Sequence, residues 1–245
     1  MVEADHGEPL TLPAKSRAER DVPRASTAHC TVNSVMGHGD GIRFQSESLL
    51  EFRHKLVLNS LGAVVDMREQ VRFRYGPLDE YEVVFDLFLH LEDGTRLAGD
   101  VKPEVRLQSG RHLKKLQEVA WWVREKDFAD EVRLFSDADL DPIELFNAQI
   151  FSAVRDPDPE ADTAAIAIAA SLKGGRSLHD LTLEIGMQAR GYHALLRLLR
   201  DGTLYPFSHA RIGPESIVTT ANRRPTSTLP PVLRGRRIPS FATTS

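Results

Sequence analysis

Apolar positions first fall into helical spacing at Leu49, Phe52 and Leu56, with Leu50, Val57 and Leu61 widening the stripe. Recurrence at three and four residues predicts an amphipathic helix. Ser48-Leu-Leu-Glu51 supplies its start as a capping box, and Gly62 is placed to end it. The period then changes. Val71, Phe73 and Tyr75 alternate with polar residues, giving a strand over 70–75 that Gly76-Pro77 breaks. Residues 81–91 read as a second, longer strand, Asp93-Gly94 as a hairpin turn, and 95–102 as the return strand. Helical spacing resumes over about 109–126 through Leu113, Leu116, Val119, Ala120 and Val123, and 131–135 is a last short strand. Helix, antiparallel strands, helix and strand predict a layered α/β fold.

Beyond this pattern the chain divides. Residues 1–42 mix Pro, Ser, Ala, Gly and charges without periodicity, which predicts a disordered segment ahead of a first domain over 43–154. The acidic, proline-broken run Arg155-Asp-Pro-Asp-Pro-Glu-Ala-Asp162 reads as a linker. A small domain over 163–220 follows. Ser177-Leu-His-Asp-Leu-Thr-Leu-Glu-Ile185 is a capped helix, Gly186-Met-Gln a turn, and 190–200 a second helix stopped by Gly202. Strands over 203–207 and 216–220 would form a wing around Gly213-Pro214, so the sum resembles a winged helix-turn-helix. Arg190, His193, Arg197 and Arg200 share one helix face opposite Leu195, Leu198 and Leu199, the placement of a DNA-reading surface or of an ordinary solvated face. Residues 221–245 turn to Ser, Thr, Pro and Arg and read as a disordered basic tail, with Arg223, Arg224, Arg234, Arg236 and Arg237 uncompensated by a local acid.

Composition narrows the function classes. With 41% hydrophobic and 27% charged residues, the chain of 245 residues has the make-up of a soluble globular protein. The single cysteine, Cys30, excludes an intrachain disulfide and a cysteine-only zinc site, which fits a reducing cytoplasm. No apolar run approaches the ~18 residues of a membrane span, so no membrane partner is expected. The formal net charge of −4 means that nucleic-acid binding has to come from local patches.

Asp86 interrupts the apolar strand Val83-Val-Phe-Asp-Leu-Phe-Leu89, and Asp100-Val-Lys102 ends the next strand. Asp100 and Lys102, two apart, point to the same face. Two neighbouring carboxylates repel unless a cation lies between them, and a hard cation with oxygen ligands, Mg²⁺, is the natural choice, with Mn²⁺ able to substitute. Such an ion polarises a phosphate and acidifies water, and Lys102 would offset charge at phosphorus. Glu51 would add an oxygen ligand, although a capping role alone also explains it. Arg68 and Glu69 read as a solvated strand start or an ion pair, His112 as a surface residue rather than a base, and Glu118 as an exposed helix charge rather than an accessory ligand. Trp121 and Trp122 read as packing residues.

The Asp…Asp-x-Lys pattern resembles the PD-(D/E)xK nuclease superfamily, of restriction-endonuclease-like fold. Ser48-Leu-Leu-Glu51, Val64-Val-Asp-Met-Arg-Glu-Gln70, Phe85-Asp-Leu and Asp100-Val-Lys-Pro103 together resemble the TnsA family, the endonuclease subunits of heteromeric transposases. The likeness runs on through Leu107-Gln108 and Arg111-His-Leu-Lys-Lys-Leu-Gln-Glu118 to Trp121-Trp122, covering roughly residues 46–147. It implies that Glu51, Asp86, Asp100 and Lys102 are catalytic, with the three carboxylates as metal ligands. The best-known member carries Gln where this chain has Asp100, the more usual superfamily residue. The resemblance further implies cleavage of double-stranded DNA at the 5′ ends of a mobile element, with a DDE-type transposase and an AAA+ ATPase regulator as partners. In that family the regulator is contacted through the C-terminal domain. A stand-alone restriction or defence nuclease, and a non-cutting DNA-binding or assembly module, are the alternatives.

The hairpin sets a geometric condition. In a plain two-residue turn at Asp93-Gly94, Glu92 faces Thr95 and Asp86 lies opposite Val101, which turns Asp100 and Lys102 to the wrong side. A working site therefore requires a longer turn or a bulge, and Gly99 is the candidate for the bulge. Close packing against the first helix is the plainer role for that glycine.

Overall fold

The computed structural model describes residues 12–20, 30–220 and 234–240. A mixed five-stranded sheet carries the N-terminal lobe, in the order β10-β6-β5-β4-β3. Its strands are β3 (Val64–Tyr75), β4 (Tyr81–Leu91), β5 (Arg96–Val101), β6 (Glu131–Phe135) and β10 (Arg236–Arg237). β5 and β6 run parallel and the other neighbours antiparallel. Helix α3 (Arg111–Glu125) makes the crossover between the parallel pair. It covers one face with Leu116, Val119, Ala120 and Val123, against Val71, Phe73, Phe85 and Phe88. Helix α1 (Leu49–Asn59) and the hairpin β1 (Val32–Met36) and β2 (Ile42–Ser46) cover the other face, where Met36, Phe44 and Leu58 meet Met67, Leu87, Leu89 and Leu97. Cover on both faces explains why β4 reads as a nearly continuous apolar run.

Several boundaries differ from the sequence expectation. Within the stretch expected to be disordered, residues 32–36 form β1 and pair with β2, and residues 12–20 run along the start of β3, with Ala14 bridging Ile42 and the Glu19 amide donating to Gln70 O. Helix α1 begins at Ser48 as expected but ends at Ser60, before Gly62. Besides the single turn α2 (Glu104–Leu107), two longer helices go beyond the expected elements. Asp141 caps α4 (Pro142–Ala153), and Asp158, inside the expected linker, caps α5 (Pro159–Ser171) with Pro159 in the first turn. The tail also returns. Arg236 and Arg237 pair with Leu134 and Arg133, Ile238 enters the core, and Arg234 and Arg237 find Glu144 and Glu131. Arg223 and Arg224 lie outside the described residues.

The C-terminal lobe comprises α5, β7 (Arg176–Ser177), α6 (Leu178–Ile185), α7 (Ala189–Arg200), β8 (Leu204–Pro206) and β9 (Ile217–Thr220), with a small antiparallel sheet in the order β7-β9-β8. Ala161, Ala165 and Ala169 let α5 approach the buried Leu195, Leu198 and Leu199 of α7 closely. None of the described helices is long and apolar enough to cross a membrane.

Candidate active site

The hairpin between β4 and β5 meets the geometric condition through its turn. Leu87 pairs with Gly99 and His90 with Arg96, so the same register continued one step sets Asp86 across from Asp100. The loop is three residues, Glu92-Asp93-Gly94, closed by Leu91 N to Thr95 O at 2.9 Å, with Gly94 left-handed at φ 86°. Gly99 is not a bulge. It pairs regularly, and its missing side chain leaves room for close packing: a Cβ there would lie 3.1 Å from both Leu87 Cβ and Phe135 Cε2. The glycine therefore admits β6, not α1, to its close position.

A second irregularity lies opposite. In β3, Glu69 pairs with Leu87 and Val71 with Phe85, which sets Gln70 across from Asp86. Gln70 is fully buried, and its backbone is left-handed at φ 50°. Side-chain alternation changes at this pair. Val71, Phe73 and Phe85 face α3, whereas Met67, Leu87 and Leu89, of the same parity, face α1. The pleat breaks on both strands at one level, and Asp86 occupies the break.

There Asp86 Oδ2 accepts from the Val101 amide at 2.8 Å, in place of a continued ladder, and Oδ1 accepts from Gln70 Nε2 at 3.3 Å. Lys102 Nζ lies 3.3 Å from Asp86 Oδ2, 3.3 Å from Asp100 Oδ1 and 3.0 Å from the Val101 carbonyl oxygen. Three oxygens thus converge on one cationic nitrogen. Asp86 and Asp100 are nearly buried, while the Lys102 side chain keeps a third of its surface exposed. Burial raises the Asp86 pKa, and the Asp100 charge adds to the rise against the opposing pull of Lys102. Burial also works against the charge on Asp100, but the His112 hydrogen bond and Lys102 outweigh it and the net shift is downward. Lys102 is held above its ordinary value by the two aspartates, which overcome its own burial.

Glu51 reaches the same region from the first turn of α1. Its carboxylate accepts from the Glu47 amide and the Ser48 hydroxyl, both at 3.0 Å, while its own amide donates to Ser48 Oγ at 3.1 Å. The residue fills its capping role, and its pKa is raised first by burial and then by the charge of Asp86. Glu51, Asp86 and Asp100 do not, however, draw together within 4.8 Å. Among the described residues the one group of potential ligands that does is Asp141, Glu144 and His209. Those atoms are otherwise engaged: Asp141 caps α4 and bonds His209, and Glu144 is clamped by Arg234. The oxygen nest around Lys102 Nζ, formed by two carboxylates and a carbonyl, is of the donor type and charge that suit a hard divalent cation.

Three residues beyond the expected set belong to this site. His112 is not a surface charge, since its Nε2 lies 2.5 Å from Asp100 Oδ2 and ties the start of α3 to the site. Gln70 orients Asp86 and in turn accepts from Arg20 Nε at 2.9 Å. Val101 contributes only backbone groups, to which its side chain gives no clue. Glu69 meets the ion-pair reading but is buried rather than solvated. It is 1% exposed and pairs with Lys55, itself fully buried, at 3.1 Å. Glu118 is exposed as expected, and Trp122 packs partly against the core.

The basic face expected on α7 is corrected by the structure. Arg190 bonds Asp158 and Glu160, and Arg197 bonds Asp162 and the carbonyl of Asp156. Arg200 is buried, with its guanidinium donating to Gly37 O. The four residues do share a face, but it packs on the start of α5 and on the β1–β2 turn, leaving His193 exposed and Arg190 partly so. Neither the protein-family models nor the curated proteins compared with the chain give a match, so its reading rests on residues and geometry.

Proposed function

We propose that this protein is a metal-dependent DNA endonuclease. The observation that carries the reading is the placement of Asp86, Asp100 and the Val101 carbonyl around Lys102 Nζ, on a hairpin whose three-residue loop sets the two aspartates face to face. Asp86, Asp100 and the Val101 carbonyl would hold Mg²⁺ or Mn²⁺, with Glu51 as a further oxygen donor. When bound, the ion supplies Lewis-acid polarisation of the phosphate and a lowered pKa for water. Lys102, released from its carboxylates, offsets charge on the phosphoryl oxygens. Gln70 and the Val101 amide fix the Asp86 carboxylate, and His112 fixes that of Asp100. The net reaction adds water across the phosphodiester: an O–P bond forms, the P–O3′ bond breaks, and a 5′-phosphate and a 3′-hydroxyl remain.

Within this reading the N-terminal lobe is a restriction-endonuclease-like domain of the PD-(D/E)xK type. Its motif set favours the TnsA-type subunit of a transposase, acting at the 5′ ends of a mobile element in the cytoplasm with a DDE-type transposase and an AAA+ regulator. The order α5-β7-α6-α7-β8-β9 with its β7-β9-β8 sheet suits a winged helix-turn-helix for the C-terminal lobe. Its paired arginines favour an assembly role there over base reading.

The test is nicking of supercoiled plasmid with Mg²⁺ or Mn²⁺, with and without the partner subunits. Asp86→Ala and Asp100→Ala should each cut at least about a hundredfold more slowly, because charge stabilisation by such an ion is worth several kcal/mol. Both should fold but melt somewhat below the parent, since Asp86→Ala leaves the Val101 amide and Gln70 Nε2 without an acceptor and Asp100→Ala does the same to Lys102 and His112. Undiminished cutting by either purified variant would place the chemistry elsewhere.

A further inference from the structure

Most arginines of the described chain are neutralised within it. Arg96 holds Asp127 and Asp130, Arg72 holds Glu82, and Arg190 and Arg197 of α7 hold Asp158, Glu160 and Asp162. Against that pattern stands one short stretch. Arg106, on the single turn α2 (Glu104–Leu107), and Arg111, Lys114 and Lys115, on α3, are all exposed and pair with no described carboxylate. Arg43, on β2, and Lys173, after α5, are also exposed and pair with no described carboxylate, but they lie on other elements.

Position gives the cluster its meaning. Lys102 leads through Pro103 directly into α2. His112, next to Arg111, contacts Asp100 at 2.5 Å, so the first turn of α3 begins at the edge of the catalytic cluster. On α3, Arg111, Lys114 and Lys115 fall at spacings of three and four, neighbours ~6 Å apart on one face. The opposite face is the buried one, formed by Leu116, Val119, Ala120 and Val123. Unpaired like charges held in a row repel one another, and a polyanion lying across them removes that repulsion. A nucleic-acid strand lying across the edge of the site where α3 begins would bring its neighbouring phosphates near this surface.

We infer that α2 and the first turns of α3 form the surface that grips the phosphate backbone of duplex DNA beside the cleavage site, through Arg106, Arg111, Lys114 and Lys115. The inference rests on the nuclease reading for the identity of the polyanion. It moves DNA contact from the C-terminal lobe to the catalytic one. Because the contacts are to phosphate, they give affinity and register without sequence preference.

The experiment is fluorescence anisotropy with a labelled duplex of arbitrary sequence, in EDTA, over a series of salt concentrations. The full chain is compared with the triple variant Arg111→Ala, Lys114→Ala, Lys115→Ala, and with the control Arg43→Ala, Lys173→Ala. All five positions are exposed, and unchanged melting curves establish that each protein is folded. The triple variant should bind about tenfold or more weakly at moderate salt, with the slope of log K against log salt reduced by about 2 to 3, since each phosphate contact contributes ~0.9. The control should match the parent. Unchanged affinity and slope in the triple variant, or no duplex binding by the parent, would overturn the inference. The two readings separate cleanly. A parent that binds through these residues yet never nicks, alone or with partners, counts against the nuclease alone. A parent that nicks while the triple variant keeps full affinity counts against this surface alone.

Discussion

Gln70 shows how much of the site depends on one side chain. A non-glycine residue in the left-handed region costs roughly 1–2 kcal/mol, and this one lies inside a long strand, fully buried. That conformation breaks the pleat and points Nε2 at Asp86 Oδ1, while Oε1 accepts from Arg20. Asparagine tolerates the same backbone but is one methylene shorter, so Gln70→Asn should keep the fold and lose the contact. The expected loss of stability is about 1–3 kcal/mol, since the contacts to Asp86 and to Arg20 are both shortened out of reach. Plasmid nicking should slow roughly tenfold or more, since mutating groups that orient metal ligands commonly costs 10–100-fold. Full-rate nicking in a variant of near-parental melting temperature would show that Asp86 needs no such support. Asp86, Asp100 and Lys102 were legible in the sequence because a charged residue in an apolar strand is unexpected and the x between Asp and Lys fixes a shared face. Gln70 and His112 were not. Each is an unremarkable polar residue until a neighbouring strand or helix brings it against a carboxylate. Lys55 and Glu69 were hidden for the opposite reason: long charged side chains are rarely fully buried, so a buried pair is not the default reading.

The hairpin is the element that turns this local chemistry into a site, and two glycines serve it in different ways. Gly94 holds the left-handed position of the three-residue loop, at φ 86°, and a Cβ added there would meet nothing within 4 Å. Gly94→Ala should therefore cost only backbone strain, about 1–2 kcal/mol, with the register kept by the buried faces. Gly99 needs no unusual backbone, but its added Cβ would press on Leu87 and on the ring of Phe135, 3.1 Å from each. Gly99→Ala should cost about 1–3 kcal/mol through overpacking. Because Asp100 is the next residue, it should also slow nicking more than Gly94→Ala does. Urea unfolding together with nicking rates of both variants checks this, and equal rates would show that close packing at Gly99 does not position Asp100. The need for a register shift followed from the sequence. Its device did not, because a two-residue Asp-Gly turn and a three-residue loop ending in Gly share the same Asp-Gly letters. The Asp-Pro pairs at 141–142 and 158–159 carried a helix-start signal in plain view. At 158–159 it was masked by the same residues' resemblance to a linker, and the alanine face of α5 gave too weak an apolar stripe to override that.

At the scale of the molecule, the arginines of α7 act as fasteners. Amphipathic spacing separated an apolar from a basic face correctly, but it could not show that Arg190, Arg197 and Arg200 of the basic face find partners within the protein. Arg197 reaches Asp162 and the carbonyl of Asp156, so it anchors α7 to the start of α5, and Arg200 reaches across to Gly37 O in the turn between β1 and β2. Arg200 is buried enough that its pKa is lowered, chiefly by desolvation against the opposing pull of Asp201, and its guanidinium donates to a carbonyl from the other lobe. Arg200→Ala would strand the Gly37 carbonyl at the seam between the lobes. The expected loss is about 1.5–3 kcal/mol, the net worth of a hydrogen bond from a charged donor. Duplex affinity at fixed salt should stay within about twofold of the parent, because the residue offers no free charge to phosphate, whereas a backbone contact would steepen the salt dependence by ~0.9. The two observables move in opposite senses under the two roles. A fastener loses stability and keeps affinity, and a recognition-helix arginine keeps stability and loses affinity along with salt slope. Denaturant unfolding and anisotropy on the same Arg200→Ala preparation therefore decide between them, and a variant with parental unfolding but weakened, less salt-dependent binding would return α7 to the DNA.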